Sequence, residues 1–428
     1  MEKNKRAPFP PMGWNSWDCY GAAVNEEQLL GNALYMAENL KQFGYEYVVC
    51  DIQWSEPTAE SMAYHKYAEL DMDEYSRLIP AVRRFPSSAN GVGFKAIADR
   101  IHGMGLKFGI HIMRGIPRQA VHRNTPIKNC NYTARDIAQP YSVCSWNTDM
   151  YGVDPEHPGA QAYYDSIFEL YASWGVDYIK CDDICITEGR PDNYYSGSGE
   201  IECIKKAIDR CGRDMVLSLS PGPAMLDKAE HLSANANMWR ISGDFWDNWN
   251  ALDAMFARCR DWAPYVKEGC WPDCDMLPLG RISIYNGERR TNFTKDEQIT
   301  LMSLWCIFRS PLMMGGEMRD NDDFTLSLLT APEVLELEKK TFGAREVMNS
   351  GGITVWKTGD AEGNIYLGVF NRDCYKKQTS IPLPLLGISN AEEFRVRDLW
   401  KRADAGKAKG EIGCELNAHG AVLYKLSK

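Results

Sequence analysis

The sequence lacks the features that mark membrane proteins and nucleic-acid-binding proteins. It contains no apolar run of about 20 residues, the length that a membrane-spanning helix requires. The chain has fewer basic than acidic residues, with 48 Lys and Arg and 58 Asp and Glu, so its formal net charge is −10. Proteins that bind a phosphate backbone depend on clustered Lys and Arg. We therefore predict neither a membrane nor a nucleic acid as a partner.

The features of a zinc protein and of a secretion signal are also missing. The 14 cysteines form no repeated CxxC pair, so no metal site is expected, and most thiols are expected to be buried as small hydrophobic side chains. The N-terminal segment MEKNKRAPFPPMGW is basic but is not followed by the apolar segment of a signal peptide. A cytoplasmic location is the default expectation, and a secreted protein whose signal has been removed is the alternative.

The composition is that of a soluble protein with more than one domain. Hydrophobic residues make up 44% of the chain and charged residues 25%, as in ordinary globular proteins. A chain of 428 residues is longer than one hydrophobic core usually serves. We therefore expect a large domain and a smaller one.

Short apolar segments alternate with amphipathic ones over most of the chain. In one such segment, from Glu26 to Phe43, apolar residues recur every three or four positions, which predicts a helix that ends at Gly44. Repeated strand and helix units favour a parallel sheet covered by helices, and about eight units over roughly 250 to 340 residues fit a (β/α)8 barrel. A doubly wound sheet is the alternative from periodicity alone. The candidate strands are Met12 to Trp17, Tyr47 to Ile52, Leu106 to Met113, Tyr178 to Asp182, Met215 to Ser218 and Met238 to Ile241.

The pattern changes after about Arg345. The segment GGITVWKTGDAEGNIYLGVFNRD has two β-branched apolar runs on either side of a glycine-containing turn, which predicts a hairpin. Further short strands are predicted at Glu393 to Trp400 and Ala421 to Leu426. We therefore predict a (β/α)8 catalytic barrel over residues 1–340 and a C-terminal antiparallel β-sandwich domain over residues 345–428.

Aspartates follow several of the predicted barrel strands. Asp51, Asp182 and Asp244 each come at or just after the end of a different strand, and the segment WPDCDMLPLG adds Asp273 and Asp275. In a barrel the carboxyl ends of the strands meet at the face that carries the active site. Carboxylates hydrogen-bond sugar hydroxyls, and aromatic rings pack on sugar C–H faces. The sequence therefore predicts a carbohydrate site, with nearby tryptophans at Trp14, Trp17, Trp54, Trp239, Trp246 and Trp271.

Four segments in order carry a family resemblance. PPMGWNSWDCYG (10–21), YIKCDD (178–183), WRISGDFWDNW (239–249) and WPDCDMLPLG (271–280) together resemble glycoside hydrolase family 27, the α-galactosidase family. The resemblance extends from about Pro8 into the β-rich C-terminal part. It implies a (β/α)8 barrel followed by an antiparallel β domain.

The resemblance also implies residue roles. Asp182 matches the catalytic nucleophile and Asp244 the general acid/base, which a more apolar setting is expected to keep protonated. Asp183 stands where the family usually has a small or amide residue, so it is not the expected nucleophile. The positions that match sugar-binding residues are Trp17, Asp51, Lys180 and Arg240, with Asp273 and Asp275 as a pair at the rim of the site.

The chain departs from the family pattern at three positions. Galactosidases commonly have a second aspartate after the Asp51 position, where this chain has Ile52. His111 replaces a tyrosine at the end of the third strand, and Ser220 stands where a glutamate lies near the sugar 2-hydroxyl. His111 and Arg114 are candidates for new polar contacts to the sugar, although Arg114 equally fits a salt bridge at the rim. The reaction type is therefore better determined than the sugar.

The predicted function is a retaining, exo-acting α-glycoside hydrolase of α-galactosidase type, without a metal or organic cofactor. Its predicted partner is an oligosaccharide or glycoside substrate, and the sequence makes no prediction of oligomeric state. The first alternative keeps the mechanism but changes the sugar to an N-acetyl-α-galactosaminide, a β-L-arabinopyranoside or an α-glucoside. The second alternative, from another class, is a non-catalytic glycan-binding barrel, against which the presence of both Asp182 and Asp244 argues.

Overall fold

The computed structural model describes residues 2–185, 193 and 195–428. Its strands are β1 (Met12–Asn15), β2 (Tyr47–Cys50), β3 (Lys107–Met113), β4 (Ile116–Pro117), β5 (Ala138–Val143), β6 (Met150–Val153), β7 (Tyr178–Asp182), β8 (Val216–Ser220), β9 (Met238–Arg240), β10 (Trp271–Asp273), β11 (Arg281–Ile282), β12 (Arg289–Arg290), β13 (Leu312–Met314), β14 (Thr341–Ser350), β15 (Ile353–Asp360), β16 (Ile365–Asn371), β17 (Lys377–Pro382), β18 (Glu393–Asp398), β19 (Ala403–Lys409), β20 (Glu411–Leu416) and β21 (Ala421–Ser427). Its α-helices are α1 (Trp17–Tyr20), α2 (Glu26–Asn39), α3 (Lys95–Gly103), α4 (Arg118–Arg123), α5 (Ala134–Ile137), α6 (Pro158–Trp174), α7 (Ser198–Arg210), α8 (Ala229–Asn235), α9 (Trp249–Trp262), α10 (Lys295–Phe308), α11 (Asp323–Leu329), α12 (Pro332–Leu335) and α13 (Leu337–Lys340).

Eight parallel strands form the first domain, in the order β1, β2, β3, β7, β8, β9, β10 and, beside β1, β13. The two ends of this sheet meet just after β10, where Leu277 N–H donates to the carbonyl of Met313 at 2.8 Å. Gly315 N–H returns a bond to the carbonyl of Leu277 at 3.0 Å. The prediction of a (β/α)8 barrel is confirmed.

The first long helix shows how the local sequence determines where a barrel helix begins and ends and which side it buries. Helix α2 begins with a capping box, in which Asn25 and Gln28 satisfy each other's backbone N–H groups. It buries an apolar side against the barrel, including Leu29 and Met36. The α-helix ends at Asn39, earlier than predicted, and a 3-10 turn continues to Gly44, whose φ of 107° stops it.

Long connections follow the carboxyl ends of β2 and β3. Residues 51–94 link β2 to α3 without a regular strand, and residues 114–157 link β3 to α6 and contain the small sheet β4–β6–β5. Because all barrel strands are parallel, both connections lie at the same face of the barrel. They supply the side walls of the cavity described below.

The second domain is an eight-stranded antiparallel sheet in the order β14, β15, β16, β21, β18, β19, β20 and β17. It has its own buried cluster, which includes Val355, Leu367 and Leu426. Other side chains of its sheet, such as Trp356 and Phe370, belong to the core of the barrel domain. The predicted antiparallel C-terminal domain is confirmed, and its first strand already begins at Thr341.

The cysteines and helices agree with the composition. All 14 cysteines are free thiols and ten of them are buried, so the expectation of mostly buried thiols is confirmed. Among the helices in the described part of the chain, none combines the length and the apolar character that a membrane crossing needs.

Candidate active site

A cavity of about 480 Å³ opens at the carboxyl ends of the barrel strands. Its wall brings together eight of the predicted site residues: Trp17, Asp51, Lys180, Asp182, Ser220, Arg240, Asp244 and Asp275. His111, Arg114 and Asp273 are not among its lining residues. Further lining residues include Asp18, Ile52, Tyr64, Ser145, Trp146, Asp183, Phe245, Trp246 and Met276.

Asp51 and Lys180 form an ion pair on the floor of the cavity. Lys180 Nζ lies 2.8 Å from Asp51 Oδ2, and Asn15 Nδ2 donates to the same oxygen at 2.7 Å. Burial would raise the pKa of Asp51, but the charges of Lys180 and His111, together with the hydrogen bonds from Lys180 and Asn15, lower it to about 2. Burial opposes the charge of Lys180, yet Asp51 and Asp182 raise its pKa overall. The pair is therefore ionised at neutral pH.

Both oxygens of Asp182 are held by neighbouring groups. His111 Nε2 lies 3.1 Å from Oδ2, and because an ionised carboxylate can only accept, the imidazole nitrogen donates. The backbone N–H of Asp183 donates to Oδ1 at 2.8 Å. Burial would raise the pKa of Asp182, but the His111 hydrogen bond and the charges of Lys180 and Arg240 lower it. Asp182 is thus an oriented, ionised carboxylate. His111 is 2% exposed and contacts this carboxylate, and it is not among the residues that line the cavity.

Arg114 holds the turn after β7. Its Nε donates to the carbonyl of Asp183 at 2.5 Å, and its Nη2 lies 2.9 Å from the Asp183 carboxylate. Nη1 pairs with the buried Glu200 at 3.3 Å. Arg114 is only 2% exposed. Its donors are therefore turned toward Asp183 and Glu200, and Arg114 itself is not among the residues that line the cavity.

Asp244 is the most accessible of the predicted acids. Its side chain is 71% exposed and its Oδ1 lies 2.9 Å from Arg240 Nη1. The expectation of an apolar setting around Asp244 is wrong, because the group faces solvent and a guanidinium. It projects into the mouth of the cavity, where a water molecule or a leaving group can reach it.

Arg240 connects three sides of the cavity. Besides Asp244, its guanidinium contacts Ser220 Oγ at 3.2 Å and Asp275 Oδ2 at 3.2 Å. Burial raises the pKa of Asp275 and Arg240 opposes that rise. Arg240 therefore links the Ser220 hydroxyl to the carboxylates of Asp244 and Asp275 in the cavity wall.

Asp273 lies beneath the cavity rather than in its wall. It is 5% exposed, and its Oδ1 accepts from the backbone N–H of Asp275 at 2.9 Å. Burial and the neighbouring Asp275 raise its pKa to about 7. Of the predicted pair at the rim, Asp275 lines the cavity and Asp273 does not.

Sequence reasoning missed several lining residues, among them Asp18, Tyr64 and Trp146. Asp18, one residue after Trp17, is 2% exposed, and its Oδ2 has no hydrogen-bond partner. Tyr64 and Trp146 lie in the two long connections, where no periodic pattern marks them. Only the place of Asp18 within the first motif, next to Trp17, could have indicated it. Of the predicted tryptophans, Trp17 and Trp246 line the cavity, whereas Trp14, Trp54, Trp239 and Trp271 are buried in the core.

Ile52 forms an apolar part of the wall. It is 4% exposed and belongs to a small hydrophobic cluster with Met113, Cys144 and Met150, against which Trp17 and Tyr64 pack. Its backbone N–H donates to Asp51 Oδ1 at 2.9 Å. The position next to the Asp51–Lys180 pair therefore has no polar side chain to offer a ligand.

The arrangement has the parts of a two-carboxylate reaction centre. An ionised, partly exposed Asp182 and a more accessible Asp244 line the same cavity, together with the cations Lys180 and Arg240. An oriented, ionised carboxylate can act as a nucleophile, and an exposed carboxyl can exchange protons with water. Within the described residues, no group of three or more His, Cys, Asp or Glu could hold a metal ion.

Comparisons with known proteins agree with this arrangement. A family model described as alpha galactosidase A matches residues 148–340, and one described as alpha galactosidase C-terminal beta sandwich domain matches residues 350–426. An α-galactosidase of Cyamopsis tetragonoloba is 26% identical over 435 residues, which cover 100% of this chain and 88% of that protein.

Two solved structures extend the comparison. The chain is 56% identical to a family 27 β-L-arabinopyranosidase of Geobacillus stearothermophilus, with a TM-score of 0.97 and coverage of 100% of this chain and 98% of the other. A variant of that enzyme has been solved in complex with arabinose. α-Galactosidase I of Mortierella vinacea is 22% identical, with a TM-score of 0.76 and coverage of 99% and 98%, and shares the fold.

Proposed function

Because the chain belongs to glycoside hydrolase family 27, the α-galactosidase family, and is a glycoside hydrolase, we propose that it releases terminal β-L-arabinopyranose by a retaining, exo-acting mechanism. A β-L-arabinopyranoside has the ring configuration and leaving-group orientation of an α-D-galactoside. It carries a hydrogen where galactose carries a hydroxymethyl group. The same catalytic groups therefore serve both sugars, and the choice between them depends on the wall around that substituent.

Ile52 is the observation that carries the choice of sugar. An isoleucine packed against Met113 and Met150 supplies no acceptor for a sugar hydroxyl, whereas the galactosidases that the sequence resembles have a carboxylate there. A buried hydroxyl without a partner costs about 1 to 3 kcal/mol. The wall thus disfavours galactose, with its additional hydroxymethyl group, relative to arabinopyranose. The likeness to the Geobacillus β-L-arabinopyranosidase supports the same choice.

The proposed chemistry assigns one role to each catalytic aspartate. Asp182 attacks the anomeric carbon and forms a covalent glycosyl-enzyme, while Asp244 donates a proton to the departing oxygen. Asp244 then removes a proton from the water that hydrolyses the intermediate, so the product keeps its configuration. The low pKa of Asp182 keeps the nucleophile ionised, and the exposure of Asp244 lets water reach it.

The remaining wall residues bind the sugar in this proposal. The Asp51–Lys180 pair offers a charged acceptor and a charged donor side by side, which suits adjacent hydroxyls. Trp17 offers a ring face and Arg240 a donor next to Ser220. No step requires a metal or an organic cofactor.

Ser220 favours one second candidate. A serine in place of a glutamate leaves room for a larger 2-substituent, so an N-acetyl-α-galactosaminide remains the competing substrate. Its hydroxyl already contacts Arg240 at 3.2 Å, however, and is therefore less available to an acetamido group.

The test compares kcat/KM for nitrophenyl β-L-arabinopyranoside, α-galactoside, N-acetyl-α-galactosaminide and α-glucoside. We expect the parent to favour the arabinopyranoside over the α-galactoside by about 10- to 100-fold, the effect of one unpartnered hydroxyl. Ile52→Asp, alone and with Ser220→Glu, should shift the ratio toward the galactoside, while Ile52→Leu should keep it. A parent that strongly prefers α-galactoside, unimproved by the double substitution, would refute the arabinopyranoside assignment.

A further inference from the structure

Three aromatic rings extend in sequence from the floor of the cavity to its mouth. Trp17 stacks on Tyr64 with ring centroids 5.6 Å apart and planes 14° apart. Tyr64 in turn contacts Trp146, with centroids 5.5 Å apart and planes 45° apart. All three line the cavity. We call Tyr64 and Trp146, the outer two, the aromatic wall.

The inner end of the aromatic wall lies beside the reacting groups. Burial raises the pKa of Tyr64, and the negative charges of Asp182, Asp51 and Asp244 raise it further. Tyr64 therefore lies within the field of both catalytic carboxylates. A group attached to the reacting sugar can therefore lie against this ring.

The outer end of the aromatic wall is exposed. Trp146 has 42% of its surface accessible to solvent, although it sits directly beside a cavity. Isolated exposed aromatic residues are common, but one that continues a half-buried aromatic stack along a cavity offers a binding face. Its exposed face has the chemistry to pack on the C–H face of a sugar.

The aromatic wall is held in place by bonds between its two connections. Gln53 Nε2 donates to Asp149 at 2.5 Å, and the backbone N–H of Tyr67 donates to Thr148 Oγ1 at 2.7 Å. Each bond joins the connection that carries Tyr64 to the one that carries Trp146. A binding surface fixed before the ligand arrives avoids the entropy cost of ordering it.

We propose that the aromatic wall is a leaving-group site that binds a second, neutral sugar ring of the substrate. This proposal rests on the proposed glycosidase function and adds to it the class of leaving group. A cavity of about 480 Å³ is in the range of pockets that bury ligands larger than one pentopyranose ring. The sugar would pack on Trp146 and reach Ser145 with its hydroxyls.

The charge of the cavity selects a neutral ring over an acidic one. Among its described lining residues, the aspartates Asp18, Asp51, Asp182, Asp183, Asp244 and Asp275 face only Lys180 and Arg240 as cations. Both cations are already paired, Lys180 with Asp51 and Arg240 with Asp244 and Asp275. A uronic acid at the mouth would therefore meet negative charge without a free cation among the lining residues.

The test compares two substrates that share the reacting sugar. One is the glycosyl fluoride, whose leaving group is too small to reach Trp146, and the other is a disaccharide in which the same sugar is linked to galactose. Trp146→Ala should lower kcat/KM for the disaccharide by about tenfold more than for the fluoride, as expected for one lost apolar packing surface. Tyr141→Ala is the matched control, because Tyr141 lies in the same connection, is 87% exposed and does not line the cavity.

The outcomes separate the proposal from its alternatives. Equal losses on both substrates would show that Trp146 only supports Trp17 and would overturn the proposal, as would no loss on either. A disaccharide linked to galacturonic acid should be hydrolysed more slowly than the galactose one, and equal rates would overturn the neutral-ring assignment.

Both substrates are made with arabinopyranosyl and with galactosyl groups, so an error in the reacting sugar does not affect the comparison. If the protein hydrolyses substrates of neither series, the proposed function is refuted. In that case the leaving-group site is tested by calorimetry on Asp182→Ala, which should bind the disaccharide about tenfold more tightly than the monosaccharide. The double variant Asp182→Ala with Trp146→Ala should bind the two sugars equally.

Discussion

At the scale of single residues, the site shows how one residue type takes different roles through its surroundings. Asp182 is held by His111 and a backbone N–H and has a lowered pKa. Asp273, three strands away in the barrel order, has its pKa raised to about 7 by burial and by Asp275. Asp244 faces solvent beside Arg240. These environments suit the proposed roles, in which Asp182 is the nucleophile and Asp244 transfers the proton.

The first residue-scale prediction separates the two catalytic roles. Asp182→Ala should lose nearly all turnover while still binding sugar, because no other group can form the glycosyl-enzyme. Asp244→Ala should be slow on poor leaving groups and faster on activated ones, because only the former need a proton. Azide should rescue Asp244→Ala and give a glycosyl azide of retained configuration, measured by NMR. An inverted azide, or full activity of Asp182→Ala, would contradict the assignment.

Some candidate residues lie at strand ends without lining the cavity. Arg114 directly follows β3, and the alternation of side chains along a strand cannot be extended into the irregular residues after it. The partners that turn Arg114 inward, Asp183 and Glu200, are 69 and 86 positions away in the chain. Such contacts depend on how β3 and β7 pair, which the sequence pattern does not specify.

At the scale of elements, the turn after β7 explains why the second acid of YIKCDD is present. Asp183 has a φ of 51°, in the left-handed region that Gly, Asn and Asp tolerate best. This conformation points its N–H at Asp182 Oδ1. It also accounts for the small or amide residue that the family usually has there. Arg114 locks the turn through both the carbonyl and the carboxylate of Asp183.

The element-scale prediction tests this turn. Asp183→Ala should lower kcat by about 100-fold with a smaller effect on KM, because a slightly misplaced nucleophile has that cost. Alanine in the left-handed region also costs about 1 to 2 kcal/mol. Asp183→Asn should retain most activity, since asparagine tolerates the conformation and keeps an acceptor for Arg114. Steady-state kinetics measures kcat and KM of both variants, after thermal melting has shown that they are folded. An unchanged kcat for Asp183→Ala would contradict a positioning role for Asp183.

Elements differed in how well the sequence predicted them. The six candidate strands all exist, with ends that differ by at most two residues. The other two barrel strands, Trp271–Asp273 and Leu312–Met314, were not predicted; each has only three residues, as does the predicted strand Met238–Arg240. Their place in the barrel is set by pairing with β9 and β1.

At the scale of the whole molecule, buried acids make the stability of the fold depend on pH. Burial and Asp275 raise the pKa of Asp273 to about 7, against about 3.9 in an unfolded chain. The folded state therefore holds a proton that the unfolded state has already released above about pH 4. The stabilisation from this group is complete below about pH 4 and is lost as the pH rises through 7. Asp183, with a pKa raised by burial to about 7, acts in the same range.

The molecule-scale prediction isolates Asp273. Asp273→Asn mimics the protonated form and keeps an acceptor for Asp275 N–H, so its melting temperature should exceed that of the parent at pH 8 by at least about 2 °C. The difference should shrink toward pH 5, where the parent is protonated. Calorimetry at both pH values measures this difference in melting temperature. The contribution of Asp183 to the pH dependence is the same in both proteins and does not affect the difference. Glu60→Gln, at an exposed position, is the control, and its melting temperature should differ from that of the parent by the same amount at both pH values. If the difference for Asp273→Asn were also independent of pH, the raised pKa of Asp273 would be contradicted.

The sequence by itself determined the class of the protein. Strand and helix periodicity, the change of pattern near residue 345 and four ordered motifs predicted the barrel, the β domain and the glycosidase family, because these depend on local patterns that survive in one dimension. The tertiary structure alone decided which acids share a cavity, that Arg114 and His111 lie behind Asp182, and that Tyr64 and Trp146 stand beside it. Those facts depend on contacts between strands and irregular connections far apart in the chain, and only the closed barrel brings them within bonding distance.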